Sequence, residues 1–554
     1  MEFYPNDDDA FELQNEEIND LSDDEPEKEE EIYSEDGSDD EEETSTNQQE
    51  NDVKYGKDKS IWYCKPQNIQ NCLPEFILDS SEKVHPMLPI HSIKSAFEYF
   101  VTDEMFGKIV DATNQRGKKE YGDKWVDTDV VELRAWVGLH LRAGVDKDSF
   151  RPIPELFSSK TGPPIYGATM PRDRFKVLKD TIRFDDSTTR EDRKQNDKEG
   201  KLAPIKEVFD LFVDNCKRNF QPGRKVTIDE TIVAFNGRCN FKVYMPSKPD
   251  RHGIKIWSLA DSETSYLVDA QIYQGKLSDK KETGQAERVV KDLIACIENT
   301  GRSITMDNFF TSVKLAKDLL EKGLSVLGTI RKNKKELPPS FQASRKRNVY
   351  SSEFGFSGDA RVMLCSYVPK KNKSVIMIST SNYEKRVEEA LPNKPNVITE
   401  YNKSKSGVDT LDQLVKTYSC KRVSNRWPLV IFYYIIDVSA YNASVCFMHE
   451  NPELYTGSQK RRKFLMDLSE SLVMPLIRRR ASSLDYHKLH KETRSRIEAF
   501  VPNPIAPIQT QVKNPKKRCA KCPRDKDKKT CRICSRCSIP ICEAHSKFIC
   551  DDCA

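Results

Sequence analysis

The spacing of apolar residues changes several times along this chain, and each change predicts a different element. Residues 93–184 repeat at helical spacing: Phe97, Tyr99, Phe100 and Met105, then Val130, Val131, Leu133, Trp136, Val137 and Leu141, then Phe175, Leu178 and Ile182. Apolar positions three and four apart line one face of a helix, so three helices are predicted, the second capped by Thr128 or Asp129. Trp136 falls on the apolar face and reads as core. A charged stretch, 185–201, separates these helices from Val208, Phe209, Phe212 and Val213, which keep the helical period. At Lys225 the period shortens to two, with Val226 and Ile228 alternating with polar residues as in a half-buried strand. Segments 254–259 and 266–273 predict a hairpin turning at Ser262-Glu263-Thr264-Ser265. Ala286, Val289, Val290, Leu293, Ile294 and Ile297 mark an amphipathic helix before a short strand at 303–306. A helix through Leu315 and Leu319, stopped at Gly323, precedes a strand at 324–330. This middle part is mixed α/β.

Residues 331–397 break that order. They open with Arg331-Lys332-Asn333-Lys334-Lys335 and continue as alternating strands, 362–367 and 375–379. The run 428–448 is apolar and nearly long enough to cross a bilayer. Asp437, Asn442 and His449 interrupt it, so a central buried helix is expected, with Pro428 in its first turn. No membrane partner is expected. Residues 502–515 are proline-rich and predict an extended linker.

The net charge of +2 over 554 residues hides an asymmetry. Residues 1–50 carry 23 Asp and Glu against one Lys, while the rest holds 88 basic and 64 acidic residues and stands at +24. The first part is too charged and too poor in aromatics to fold alone, so a disordered acidic tail is expected. The basic body points to a polyanionic partner, most often nucleic acid. Acidic runs stand where an apolar signal peptide would be.

Four aspartates suggest chemistry. Lys225-Val226-Thr227-Ile228-Asp229-Glu230 and Ser303-Ile304-Thr305-Met306-Asp307-Asn308 are each a short strand ending in Asp. Gly407-Val408-Asp409-Thr410-Leu411-Asp412 places two carboxylates three apart, on one face of a helix. Gathered together without counter-charge, such groups would repel and some would keep protons. Hard divalent cations with oxygen ligands remove that cost, and two of them can activate an attacking oxygen and stabilise a leaving one.

The words Thr227-Ile228-Asp229-Glu230, Pro246-Ser247-Lys248-Pro249, Ile254-Lys255-Ile256-Trp257, Asp307-Asn308-Phe309-Phe310-Thr311-Ser312, Gly407-Val408-Asp409-Thr410-Leu411-Asp412 and Asn425-Arg426-Trp427-Pro428 occur in the order seen in piggyBac transposases. From about Phe97 onward the chain resembles that family. The resemblance implies an RNase H-like catalytic core in which Asp229, Asp307 and Asp409 correspond to the catalytic aspartates and Asp412 to a fourth, required one. It implies two Mg²⁺ (or Mn²⁺) ions on these four residues, double-stranded DNA as partner, and a homodimer. Asp261, Asp269 and Glu230 match none of the family's catalytic positions. Trp427 corresponds to a tryptophan that stacks on DNA bases during strand transfer, and Arg426 beside it is taken as a DNA contact. Arg331, Lys332 and Lys334 suit a phosphate backbone.

The layout so predicted is an acidic tail (1–80), a helical dimerisation and DNA-binding domain in two parts (81–224 and 421–501), and a catalytic core in two parts (225–331 and 398–420). An insertion domain (332–397) interrupts the core; a linker (502–515) and a cysteine-rich zinc-binding domain (516–554) close the chain. The implied activity is cut-and-paste transposition through hairpin ends into TTAA sites. A domesticated, catalytically silent DNA-binding protein is the alternative, and a zinc-dependent ubiquitin ligase is a distant third.

Half of the 16 cysteines fall in the last 36 residues. Cys519/Cys522, Cys534/Cys537, Cys542/His545 and Cys550/Cys553 are four pairs with two-residue spacers, enough for two tetrahedral zinc sites. Cys531 is an alternative ligand, since Cys531/Cys534 has the same spacing; the family's terminal domain favours Cys534/Cys537. Whether the pairs interleave or run in order is left open by spacing. The basic run 513–518 suggests nuclear import.

Overall fold

A computed structural model describes residues 53–66, 85–195, 200–246, 248–275, 282–359, 361–381, 385–502, 504 and 516–545. The tail 1–50, nearly all of the 502–515 linker, the start of the basic run 513–518, and Cys550 and Cys553 lie outside the described residues. The chain forms two compact units.

The first unit, residues 1–89, 213–416 and 448–450, is built on one 11-stranded sheet. Its strands are β1 (Val53–Tyr55), β2 (Ile61–Tyr63), β3 (Lys225–Ala234), β4 (Lys242–Tyr244), β5 (His252–Asp261), β6 (Leu267–Ile272), β7 (Ser303–Met306), β8 (Ser325–Thr329), β9 (Ser352–Ser357), β10 (Met363–Lys370) and β11 (Lys373–Ser379). Across the sheet they run β1-β2-β9-β10-β11-β8-β7-β3-β5-β4, with β6 also paired to β5. The centre is parallel: β3 lies beside β7, and β7 beside β8. Parallel neighbours need a crossover, and the helices Gln285–Leu293 and Val313–Glu321 supply it. The latter is capped by Ser312 and buries Leu315, Ala316, Leu319 and Leu320. In the central strands Val226, Ile228, Ile304, Met306 and Val326 are all buried.

The predicted hairpin is β5 and β6. Its turn is tied by the Asp261 carboxylate, which accepts from the Thr264 amide (2.7 Å), the Thr264 hydroxyl (2.7 Å) and the Gly223 amide (2.8 Å). Asp261 therefore has a structural task.

Two features differ from the sequence reading. Residues 53–63, assigned to the tail, form a hairpin that joins the sheet through β9, with Phe356 opposite Tyr63. Trp62 is buried and donates its indole N–H to the Glu336 carbonyl at 2.7 Å. Two three-residue strands beside a highly acidic stretch are too short for the periodicity to show. Secondly, β9, β10 and β11, placed in an insertion domain, extend the same sheet through the antiparallel pair β8 and β11. Their apolar faces share a core with Val397, Ile398 and Tyr401.

The second unit, residues 90–212, 417–447 and 451–554, is largely helical. Asp129, not Thr128, caps Val130–Val145, accepting from the Glu132 amide at 2.8 Å. That helix packs on Lys460–Ala481 at Gly138, where a β-carbon would lie 2.9 Å from Val473. Hydrogen is all the side chain the contact admits. Trp136 is core as expected, stacked on Tyr433 and tilted against His140. Among the described residues one helix, Trp427–Glu450, is long and apolar enough to cross a membrane, and 83% of its apolar window is buried inside the protein. It is the central helix the pattern predicted.

Candidate functional site

The register of the parallel strands builds the site. β3 and β7 pair from Lys225 and Ser303 up to Ile228 and Met306. The next residues are Asp229 and Asp307. Neighbouring strands lie about 4.8 Å apart, and in-register parallel positions face the same side, so the two carboxylates emerge together. Asp229 is not the strand end that the sequence suggested. β3 continues to Ala234 while β7 stops at Met306, so the sheet opens beside Asp229. Past Met306 the Asp307 carboxylate accepts from the Phe309 amide (2.9 Å), and its carbonyl accepts from the Thr311 hydroxyl (2.6 Å). The turn is thereby set.

Thr227, Asp229 and Thr231 alternate onto one face of β3, and the helix Gly407–Thr417 lies against that face. At its start Gly407 comes so close that a β-carbon would sit 2.8 Å from the Thr227 hydroxyl. One turn further on, Asp412 accepts from the Thr231 hydroxyl at 2.9 Å. Asp409 lies in the first turn, where the helix dipole favours a carboxylate, and its side chain is exposed. The four predicted aspartates are thus brought to one place.

Their electrostatics are those of an under-neutralised cluster. Burial pushes Asp229 well above the usual carboxylate range, and Asp409, Glu230 and Asp307 add to the effect. Burial, with Glu230, raises Asp307 to about 6. Burial raises Asp412 to about 7 against the Thr231 hydrogen bond. A buried all-oxygen donor set whose carboxylates are pushed toward protonation even beside Lys248 suits a hard divalent cation.

Two lysines that the sequence reading quoted without a role stand in the cluster. Lys248 lies 3.2 Å from an Asp409 oxygen and 3.2 Å from the Glu230 carbonyl. Lys255 lies 3.7 Å from a Glu230 carboxylate oxygen and over the Phe309 ring, 5.0 Å from its centroid. A lysine flanked by Ile254 and Ile256 in a buried strand needs a partner, and that signal could have found Lys255. Arg331, one of the predicted cationic residues, also approaches Phe309, its guanidinium carbon 5.8 Å from the ring centroid.

The cysteine-rich module supplies the second centre. The donor atoms of Cys519, Cys522, Cys542 and His545 all lie within 4.8 Å of one another. His545 Nδ1 is 3.7, 3.6 and 3.3 Å from the three sulfurs, and Cys522 and Cys542 Sγ are 3.7 Å apart. Tetrahedral zinc with bonds near 2.3 Å to sulfur and 2.0 Å to nitrogen gives edges of about 3.8 and about 3.5 Å, so the cradle fits that ion. The first pair therefore closes with the third, an interleaved order. Cys531 is exposed and outside this cluster, whereas Cys534 is buried, with Cys537 packed nearby.

A family profile described as Transposase IS4 matches residues 94–444, which include all four aspartates. A piggyBac transposase, solved in a synaptic complex with hairpin DNA, superposes with a TM-score of 0.71 at 32% identity, covering 85% of this chain and 100% of that one. The chain belongs to the piggyBac family of transposases. Among human proteins, PiggyBac transposable element-derived protein 3 is 24% identical over 299 residues, half of this chain and 49% of its own length. PiggyBac transposable element-derived protein 2 is 23% identical over 371 residues, 63% of this chain and 60% of its own. The chain thus spans about half the length of the first of these relatives.

In this piggyBac chain the predicted DNA residues 426 and 427 differ in their surroundings. Arg426 directs its guanidinium to the carbonyls of Lys179 (3.2 Å), Asp180 (3.1 Å) and Ile182. These bonds hold the segment ahead of Trp427 against the chain near residue 180. Trp427 is half-buried in a cavity also lined by Arg183, Phe184, Arg190 and Pro428.

Proposed function

We propose that this piggyBac-family protein is a cut-and-paste DNA transposase, working through hairpin ends and joining at TTAA. The observation that carries the reading is the side-by-side placement of Asp229 and Asp307, completed by Asp409 and Asp412 from one helix. A protein that only bound DNA would have no use for four carboxylates held together against their mutual repulsion. In this reading the first unit holds an RNase H-like core, and the helical unit contributes dimerisation and DNA binding, with nuclear localisation.

Asp229, Asp307, Asp409 and Asp412 would hold two Mg²⁺ or Mn²⁺ ions, which when bound supply Lewis-acid activation of an attacking oxygen and neutralisation of a leaving one. The chain's own part is positioning. Thr231 orients Asp412, the Phe309 amide orients Asp307, and Arg331, Lys332 and Lys334 receive the DNA backbone. Two zinc ions complete the terminal module, one on Cys519, Cys522, Cys542 and His545 and one on Cys534, Cys537, Cys550 and Cys553.

The test uses the DNA flanking the gene. Incubating the protein and Mg²⁺ with inverted repeats bounded by TTAA should release hairpin ends. End binding with no strand breakage would leave a domesticated DNA-binding protein, a reading favoured by the element-derived names of the human relatives.

A further inference from the structure

In the loop between β4 and β5 the Met245 amide donates to the Arg251 carbonyl at 2.8 Å. The loop meets the helix Gly407–Thr417 at both ends. Lys248 lies 3.2 Å from Asp409 in the first turn, and Asp250 lies 2.7 Å from Lys416 in the last. These two ion pairs strap the loop along the helix that carries two of the four site carboxylates. The Lys248 ammonium also donates to the Glu230 carbonyl, which belongs to the residue after Asp229. Its side chain keeps only 20% of its accessible surface, although a lysine at a loop tip would ordinarily extend into water.

We propose that Lys248 is an internal counter-ion of the carboxylate site, occupying the place of positive charge in the metal-free protein and yielding Asp409 when a divalent cation binds. The inference rests on the two-metal reading above. Among the described residues no three of the aspartates bring their oxygens within 4.8 Å of one another, unlike the cysteine cluster. A site held wide with an ammonium against one ligand is what a displaceable counter-ion produces. Two consequences follow. The metal must compete with a tethered cation, so affinity is lower than the carboxylates alone would give. Without metal, the same contact relieves repulsion and keeps the loop strapped.

The experiment uses the full chain without DNA. Mn²⁺ binding is measured by calorimetry and by electron paramagnetic resonance for wild type, Lys248→Met, Lys248→Gln and Lys248→Arg, and unfolding is followed in EDTA. Removing a unit charge from within a few ångströms of a dication should tighten Mn²⁺ binding in Lys248→Met and Lys248→Gln by about tenfold or more. Both should melt lower than wild type in EDTA and regain the difference with Mn²⁺, while Lys248→Arg stays close to wild type in both measurements. Unchanged or weaker Mn²⁺ affinity in a folded Met or Gln variant would overturn the counter-ion role. If wild type takes up no Mn²⁺ that Asp307→Asn abolishes, the two-metal reading itself falls, and this inference with it.

Discussion

Asp229 and Asp307 stand one residue beyond the last paired positions of two parallel strands, Ile228 and Met306, and so emerge side by side where the sheet opens. Burial raises both, and Asp307 and Glu230 push Asp229 up further. Lys248 offsets part of this repulsion, and a bound cation would offset more.

That arrangement sets a pH dependence. Asp307 and Asp412, raised to about 6 and about 7, bind protons in the folded chain that an unfolded aspartate, at 3.8, has already lost. Where the native state holds more protons, stability falls as pH rises. In EDTA the protein should therefore lose stability between about pH 4 and about pH 7 from these groups, and stay at its lowest above that. Adding Mg²⁺ should raise the melting temperature more at pH 8 than at pH 5.5. Asp307→Asn should stabilise the metal-free protein at pH 8 by about 1–2 kcal/mol and abolish strand cleavage while end-DNA binding persists. Cleavage by this variant at the wild-type rate would remove Asp307 from the chemistry.

Zinc removal separates the terminal module from the site. Cys542→Ser breaks the cluster in which its sulfur lies 3.3 Å from His545, and should lower the zinc content by one ion per chain. Cys531→Ser should leave the content unchanged, because that thiol is exposed and outside the cluster. Atomic emission on purified protein reads both. With Cys542→Ser, discrimination between element ends and scrambled duplex should fall further than nicking on pre-bound ends.

Trp427 begins the central helix, half-buried in a cavity also lined by Arg183, Arg190 and Arg426. Trp427→Ala should spare the first nick and slow target joining, by about 1–3 kcal/mol for each base that stacks on it. Single-turnover assays of the two steps measure the split. Equal loss of both steps together with a lower melting temperature would assign the ring to packing instead.

The parts of this fold written in local pattern were legible: the strands into Asp229 and Asp307, the i, i+3 pair Asp409 and Asp412, and the buried helix from Trp427. Contacts between distant positions were not. Lys248 reaches Asp409 across 161 residues, and the closure of Cys519/Cys522 with Cys542/His545 depends on how a short chain folds back. Arg426 matched a family word, yet its guanidinium serves carbonyls near 180, which no spacing in its own neighbourhood could reveal. The hairpin 53–63 failed for another reason. Its two strands show three residues each, fewer than alternation needs to be distinguished from chance.

That hairpin gives the acidic tail a fixed root. In its turn the Asp58 amide donates to the Lys335 carbonyl at 3.3 Å, which ties the hairpin to the cationic loop 331–335. Residues 1–50 carry 23 acidic side chains against one lysine, a charge close in size to the +24 of the remaining chain. Nucleic acid competes for the same cations and gains by counterion release. A tethered polyanion at roughly millimolar effective concentration should suppress weak, non-specific binding more than binding to correct ends. Deleting residues 1–50 should tighten affinity for random duplex at low salt and narrow the ratio between end and random DNA. The gap between full-length and shortened protein should close as salt rises, because screening weakens both competitors. A companion variant, Trp62→Ala, removes the indole bond to the Glu336 carbonyl, loosens the hairpin without changing any charge, and should shift affinity part of the way. Titrations against random duplex at two salt concentrations decide the matter: identical affinities at the lower salt would mean that the tail does not compete for the DNA surface at all.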